Sequence, residues 1–130
     1  MQPLLAAIPT NIITGFLGAG KTTLIQQLLV TKPENERWAV LVNEFGQIGI
    51  DQALMGATDG VFIKEVAGGR ICCDNFLPMQ VALSQLLAKS RPQRLLIEPT
   101  GLGHPRQILE SLSESHWQST LQLRATICVI

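Results

Sequence analysis

Short apolar runs alternating with helix-patterned segments predict an α/β fold, a mainly parallel, doubly wound sheet with helices on both faces. Three observations carry that prediction. Trp38-Ala39-Val40-Leu41-Val42 and Arg94-Leu95-Leu96-Ile97-Glu98 have unbroken apolar centres, as strands covered on both faces do. Leu24, Ile25, Leu28 and Leu29 recur at helical spacing, and so do Phe76, Met79, Leu83, Leu86 and Leu87. Between Asn11-Ile12-Ile13-Thr14, which reads as a strand, and the first of those helices lies a glycine-rich turn from Gly15 to Thr23.

The remaining elements follow in order. Pro33 to Arg37 is a polar turn, and Glu44 to Gly60 reads as a long loop at the carboxyl ends of the strands, where ligands bind in such sheets. Val61 to Val66 is a short strand. The helix through Met79 and Leu83 takes Asp74 or Asn75 as its cap and tolerates Pro78 in its first turn. A helix from about Arg106 to Ser115 and a strand from Leu121 to Ile130 complete the pattern. With 130 residues and no linker, repeat or low-complexity tract, one domain is expected.

The glycine-rich turn, Gly-Phe-Leu-Gly-Ala-Gly-Lys-Thr-Thr, fills the G-x-x-x-x-G-K-[ST] pattern of a Walker A loop. Glycines at 15, 18 and 20 let successive backbone N–H groups turn inward to cradle phosphate oxygens, where a Cβ would crowd them. Lys21 is the point charge for the β- and γ-phosphates, and Thr22 is the Mg²⁺ ligand through its hydroxyl. The helix that starts here adds its positive dipole end. Gly15, Gly18, Ala19, Gly20, Lys21, Thr22 and Thr23 are therefore the candidate residues for a nucleoside triphosphate, and the sheet is expected to be a P-loop NTPase fold. Glu98 occupies the Walker B position at the end of a buried strand, suited to orienting Mg²⁺ or its waters, and Gly101 can bring a backbone N–H to the γ-phosphate. Lys21 and Glu98 are the candidate catalytic pair.

Composition excludes other classes. Ten basic and ten acidic residues give a formal charge of zero, so no broad attraction to nucleic acid or to an anionic membrane is expected. The apolar start from Leu4 to Ile8 is far short of a spanning length and has no basic residue before it. Three cysteines, two of them adjacent, make a poor disulfide framework and suit a reducing cytoplasm. No Asn precedes Lys21, Lys32, Lys64 or Lys89, so the guanine-reading Asn-Lys-x-Asp signature is absent and the residues leave the base open. Residues 1–130 read as the N-terminal part of a longer nucleotide-binding domain. An apolar last strand would favour pairing with another chain, a homo-oligomer included.

Taken together, Gly15 to Thr23, Val-Asn-Glu-Phe-Gly (42 to 46), Ile-Gly-Ile-Asp (48 to 51), Cys72-Cys73 and Ile-Glu-Pro-Thr-Gly-Leu (97 to 102) resemble the CobW-type metallochaperone GTPases. Pro-Thr-Gly-Leu-Gly-His-Pro (99 to 105) is similar to a zinc-binding branch of that family. The resemblance implies GTP with Mg²⁺ as the nucleotide, slow hydrolysis, and coupling of nucleotide state to a transition metal, zinc first, carried to a client metalloprotein. It also implies that Asn43 to Asp51 is a switch loop and that Cys72 and Cys73 hold the metal.

Two positions depart from the family pattern. Gly69-Arg70-Ile71-Cys72-Cys73 stands where the family has Gly-Cys-x-Cys-Cys, and Gln47 stands where an acid usually follows Phe-Gly. Each change removes a negative ligand or neighbour from a site for a divalent cation. Two thiolates supply half a zinc shell, leaving Glu44, Asp74, His104 or water to complete it. Arg70 favours the thiolates and opposes the incoming cation. His104 reads as a loop residue near the phosphate end, His116 as surface, Cys128 as core, and Trp38 and Trp117 as packing residues. Two other classes stay open: a different P-loop phosphotransferase or ATPase, and a nucleotide-binding interaction module without hydrolysis. Phe16 stands where deviant Walker ATPases carry a lysine.

Overall fold

The computed structural model describes residues 7–15, 21–42, 60–65, 77–98 and 105–129. Strand β1 (Ile8–Gly15) lies inside the sheet, followed by α1 (Lys21–Val30), β2 (Trp38–Val42) and β3 (Val61–Glu65). Helix α2 (Leu77–Ser90) leads to β4 (Arg94–Glu98). Helices α3 (Pro105–Leu112) and α4 (Ser115–Gln118) lead to β5 (Leu121–Leu123) and β6 (Ile127–Val129). The strand order is β3-β2-β4-β1, and the outer edge of β1 carries β5 and then β6. Every pairing is parallel, as the alternation of apolar runs and helices predicts.

Successive strand residues feed two cores. Ile12, Ala39, Leu41, Leu95 and Ile97 meet Met79, Leu83 and Leu86 of α2, Ile108 and Leu112 of α3, and Trp117 of α4. On the other face Ile13, Trp38, Val40, Val42 and Leu96 meet Ile25 and Leu29 of α1. This is why β2 is apolar at every position: all five of its residues are buried. Each fully buried Leu or Ile stabilises the fold by about 1.5–3 kcal/mol relative to exposure, so the two layers supply most of the favourable free energy. No helix among the described residues is long and apolar enough to cross a membrane.

Helix boundaries have local causes. At the end of α2 the Ser90 hydroxyl donates to the Leu86 carbonyl at 2.6 Å, Arg91 turns into the left-handed region at φ 44°, and Pro92 follows. Proline cannot continue a helix, so the chain turns into β4. The Arg37 guanidinium then ties this turn to the start of β2, its Nε donating to the carbonyls of Ser90 at 2.8 Å and Arg91 at 3.1 Å.

The turn before β2 is built around a buried cation. Lys32 is only 8% exposed, and its Nζ donates to the carbonyls of Pro33 at 3.0 Å and Glu36 at 2.9 Å. Gly60 packs against the same group and accepts the Trp38 amide at 2.9 Å. It does so with φ +84°, and a Cβ there would lie 2.9 Å from the Glu36 carbonyl oxygen.

Several expectations change in detail. β1 begins at Ile8, ahead of Asn11, because Ile8 and Pro9 pair with Leu121 and Gln122. The single helix expected from Arg106 to Ser115 is two: α3 stops at Leu112 and α4 starts at Ser115, with the Trp117 amide bonded to the Glu114 carbonyl at 2.8 Å. The single strand expected from Leu121 to Ile130 is broken at residues 124–126. Trp38 and Trp117 are buried, in keeping with packing roles. Cys128, expected in the core, is exposed, because β6 lies at the edge of the sheet and Ile127 is its residue packed against a core.

Gly60→Ala is expected to lower stability by about 1–3 kcal/mol, through the left-handed backbone and the carbonyl contact together. Urea denaturation would read this as a lower midpoint at unchanged slope. An unchanged midpoint would mean the turn relaxes freely around the added methyl.

Candidate functional site

Because all the strands run parallel, their carboxyl ends form one edge, reached by Gly15, Val42, Glu65, Glu98 and Val129. From this edge α1 crosses one face of the sheet and α3 crosses the other, as their separate cores show. β1 and β4 are neighbours, yet their following helices leave to opposite faces. That divergence opens a crevice at the carboxyl ends of β1 and β4, the place where open α/β sheets bind ligands.

The sequence-predicted residues fall around this crevice. Gly15 ends β1, and Lys21 and Thr22 open α1, so the phosphate-loop sequence bridges strand and helix as its motif requires. The first turn of α1 has N–H groups with no partner inside the helix and a partial positive charge at this edge. Ile25 and Leu29, 0% and 1% exposed, anchor the helix against the sheet while Thr23 remains exposed. Glu98 ends β4 one step beyond Ile97, which pairs with Ile12 of β1. Glu98 is half-buried and is not without an interaction partner. Val42 pairs with both Glu98 and Glu65, so two acids end the strands on either side of β2.

Other sequence-predicted positions lie outside the described residues: Gly18, Ala19 and Gly20 of the loop, Gly101, the cysteines Cys72 and Cys73, the segment from Asn43 to Asp51 with Gln47, Arg70 and His104. Among the described residues, no three His, Cys, Asp or Glu side chains come together to hold a metal ion. Gly15, Lys21, Thr22 and Glu98, the described residues that the sequence assigns to a phosphate site, therefore lie at one edge of the sheet, and the described part of that edge offers a cation no ready-made cage.

Sequence reasoning overlooked a polar link on the α1 face. The Asn11 side chain donates through Nδ2 to the Ala125 carbonyl at 2.8 Å and accepts from Arg94 Nη1 at 3.0 Å. The Arg94 guanidinium carbon lies 5.4 Å from the Trp38 ring centroid, and Trp38 Nε1 donates to Glu36 Oε1 at 2.8 Å. The one local signal was asparagine inside an apolar strand, a position where it is depleted. Asn11, Trp38 and Arg94 line an open groove of about 320 Å³ with Leu28, Thr31, Leu96 and Ile127.

Comparison with known proteins places this arrangement in context. The profile described as CobW/HypB/UreG, nucleotide-binding domain, matches residues 9–130. The chain is 59% identical over 121 residues to the zinc chaperone YeiR of Escherichia coli K12, covering 93% of this chain and 37% of that protein. It is 35% identical over 131 residues to the zinc chaperone CobW of a Sinorhizobium species, covering 95% of this chain and 36% of that one. A crystal structure of a Zn(II)-bound triple mutant of the YjiA GTPase shares the fold, with a TM-score of 0.63 at 23% identity over 97% of this chain and 41% of that chain. The chain thus spans less than half the length of these relatives.

Proposed function

The chain belongs to the CobW/HypB/UreG nucleotide-binding domain family, and from that premise we propose that it binds GTP with magnesium, hydrolyses it slowly and couples nucleotide state to the binding and delivery of zinc. The observation that carries this reading is the crevice between β1 and β4, with the Walker A sequence between β1 and α1 on one side and Glu98 on the other.

Each residue then has a physical task. The loop backbone at Gly15, Gly18, Ala19 and Gly20 cradles phosphate oxygens, Lys21 balances their charge, and Thr22 supplies a hydroxyl for Mg²⁺. When bound, the magnesium ion withdraws charge from the β- and γ-phosphates. Glu98, at the end of a strand held by a core on each face, orients water at the γ-phosphate side. Gly101 offers a backbone N–H that registers loss of that phosphate. Zinc is the cargo, with Cys72 and Cys73 as its thiolate ligands, and a client metalloprotein in the cytoplasm as the acceptor. No arginine finger is evident in the sequence, so intrinsic turnover is slow unless a second protein supplies one.

Arg70, in place of the family's first cysteine, favours a second reading: a nucleotide-binding interaction module whose metal role is weakened. Phosphate release under saturating GTP and Mg²⁺ separates the two, since the module binds without turnover.

Lys21→Ala is expected to weaken Mg²⁺-dependent GTP binding by about a hundredfold or more, because the phosphates lose a charge-assisted partner in a confined site. Calorimetric titration measures it, and wild-type affinity in the variant would overturn the phosphate-loop assignment. Titration of the reduced protein with zinc against a competing chelator is expected to show tighter binding with GTP and Mg²⁺ than without, and loss of that binding in Cys72→Ala. Zinc affinity indifferent to both nucleotide and Cys72 would sink the coupling.

A further inference from the structure

Pairing along the outer edge of β1 changes register part-way. Thr10 pairs with Leu123 and Ile13 pairs with Ile127, so β1 advances three residues while its partner advances four. One extra residue is therefore accommodated in the stretch 124–126, a bulge in a parallel pair.

The bulge has a consequence for facing. Along an uninterrupted strand, residues two apart share a face. Leu121 and Leu123 pack on the core of α2, α3 and α4. In an uninterrupted strand Ile127, four residues after Leu123, would face the same way. It packs instead on the opposite core, beneath α1. The bulge thus turns β6 over just where it pairs with Ile13, Thr14 and Gly15, the last residues of β1 before the phosphate loop.

A bulge takes backbone groups off the ladder, and one of them here is answered by a side chain. The Arg124 amide makes the last ladder bond before the bulge, to the Thr10 carbonyl at 2.8 Å, and just beyond it the Ala125 carbonyl accepts from Asn11 Nδ2 at 2.8 Å. The Asn11 amide is oriented in turn by Arg94 Nη1, itself held against the Trp38 ring. Alternatives are poorer at this point: an aliphatic side chain offers the carbonyl no donor, and a carboxylate offers it only acceptors.

We propose that Asn11 is a positioning residue for the phosphate loop, pinning the bulge so that β6 grips the end of β1 and holds Gly15 in place. This rests on the nucleotide-binding reading above. Asn11 touches no phosphate itself. It acts through the strand end from which the loop springs.

Asn11→Asp isolates the link, since it keeps the acceptor for Arg94 and removes the donor for Ala125, while Asn11→Ala removes both. Wild type and both variants would be compared for GTP affinity with Mg²⁺, for thermal midpoint, and for hydrogen exchange in a peptide containing residues 127–129. Both variants are expected to bind GTP roughly tenfold more weakly, the scale of one lost hydrogen bond, at temperatures where they are fully folded. Exchange over 127–129 is expected to be faster in both. Wild-type affinity in a folded Asn11→Asp, whatever its midpoint, would show that the residue only stabilises, and would overturn the proposal. So would unchanged exchange over 127–129. Failure of wild type itself to bind GTP would overturn the functional reading and this role with it. Weaker binding confined to the variants separates the two cases.

Discussion

Two parallel strands can be neighbours only if the chain between them crosses back over a face of the sheet. Every pairing among the described strands is parallel, and the connections from β1 to β2, β3 to β4 and β4 to β5 each carry a helix across a face of the sheet. The rest follows from that constraint. β1 to β2 crosses on one face through α1, while β3 to β4 and β4 to β5 have their helices on the other, and two apolar layers are needed to cover one sheet. The strands accordingly carry apolar residues at consecutive positions. The same constraint gathers all strand ends at one edge and makes β1 and β4 send their helices apart, which opens the crevice.

Apolar burial and polar contacts perform different tasks here. The cores under α1 and α2 hold many fully buried aliphatic side chains, each contributing about 1.5–3 kcal/mol. The Arg94 contact with Trp38, partly exposed, contributes about 0.5–2 kcal/mol, and an ordinary hydrogen bond about 0.5–1.5 kcal/mol. Stability therefore belongs mainly to the layers. The polar links specify what burial leaves undetermined: the turn around Lys32, the tie between Arg37 and the end of α2, and the register of β6 on β1. Hydrophobic contact is tolerant of sliding, whereas a carbonyl that needs one donor is not.

The proposed function adds a requirement to stability. A phosphate-binding loop has to hold several N–H groups in one arrangement, and its two ends are the places where the scaffold can enforce that. At the helix end the anchors are Ile25 and Leu29 in the core. At the strand end β1 pairs with β6 through Ile13, Thr14 and Gly15, just after its pairing with β4 through Thr10, Asn11 and Ile12.

The sequence by itself determined the elements whose causes are local. The Walker A residues, the two strands with unbroken apolar centres and the amphipathic spacing of α1 and α2 were all legible, because backbone freedom at glycine and side-chain period act over a few residues. The α/β class and the candidate roles of Lys21, Thr22 and Glu98 came from that same information, and the family resemblance came from short motifs. Tertiary structure decided the order of strands, and with it which strand ends border the crevice. It also decided the bulge after Leu123, the turning of Ile127 toward α1 and the exposure of Cys128. Asn11 looked like a flaw in a strand until the fold brought Ala125 and Arg94 beside it. The physical reason is that register is settled between segments more than a hundred residues apart, where the period of either one is silent.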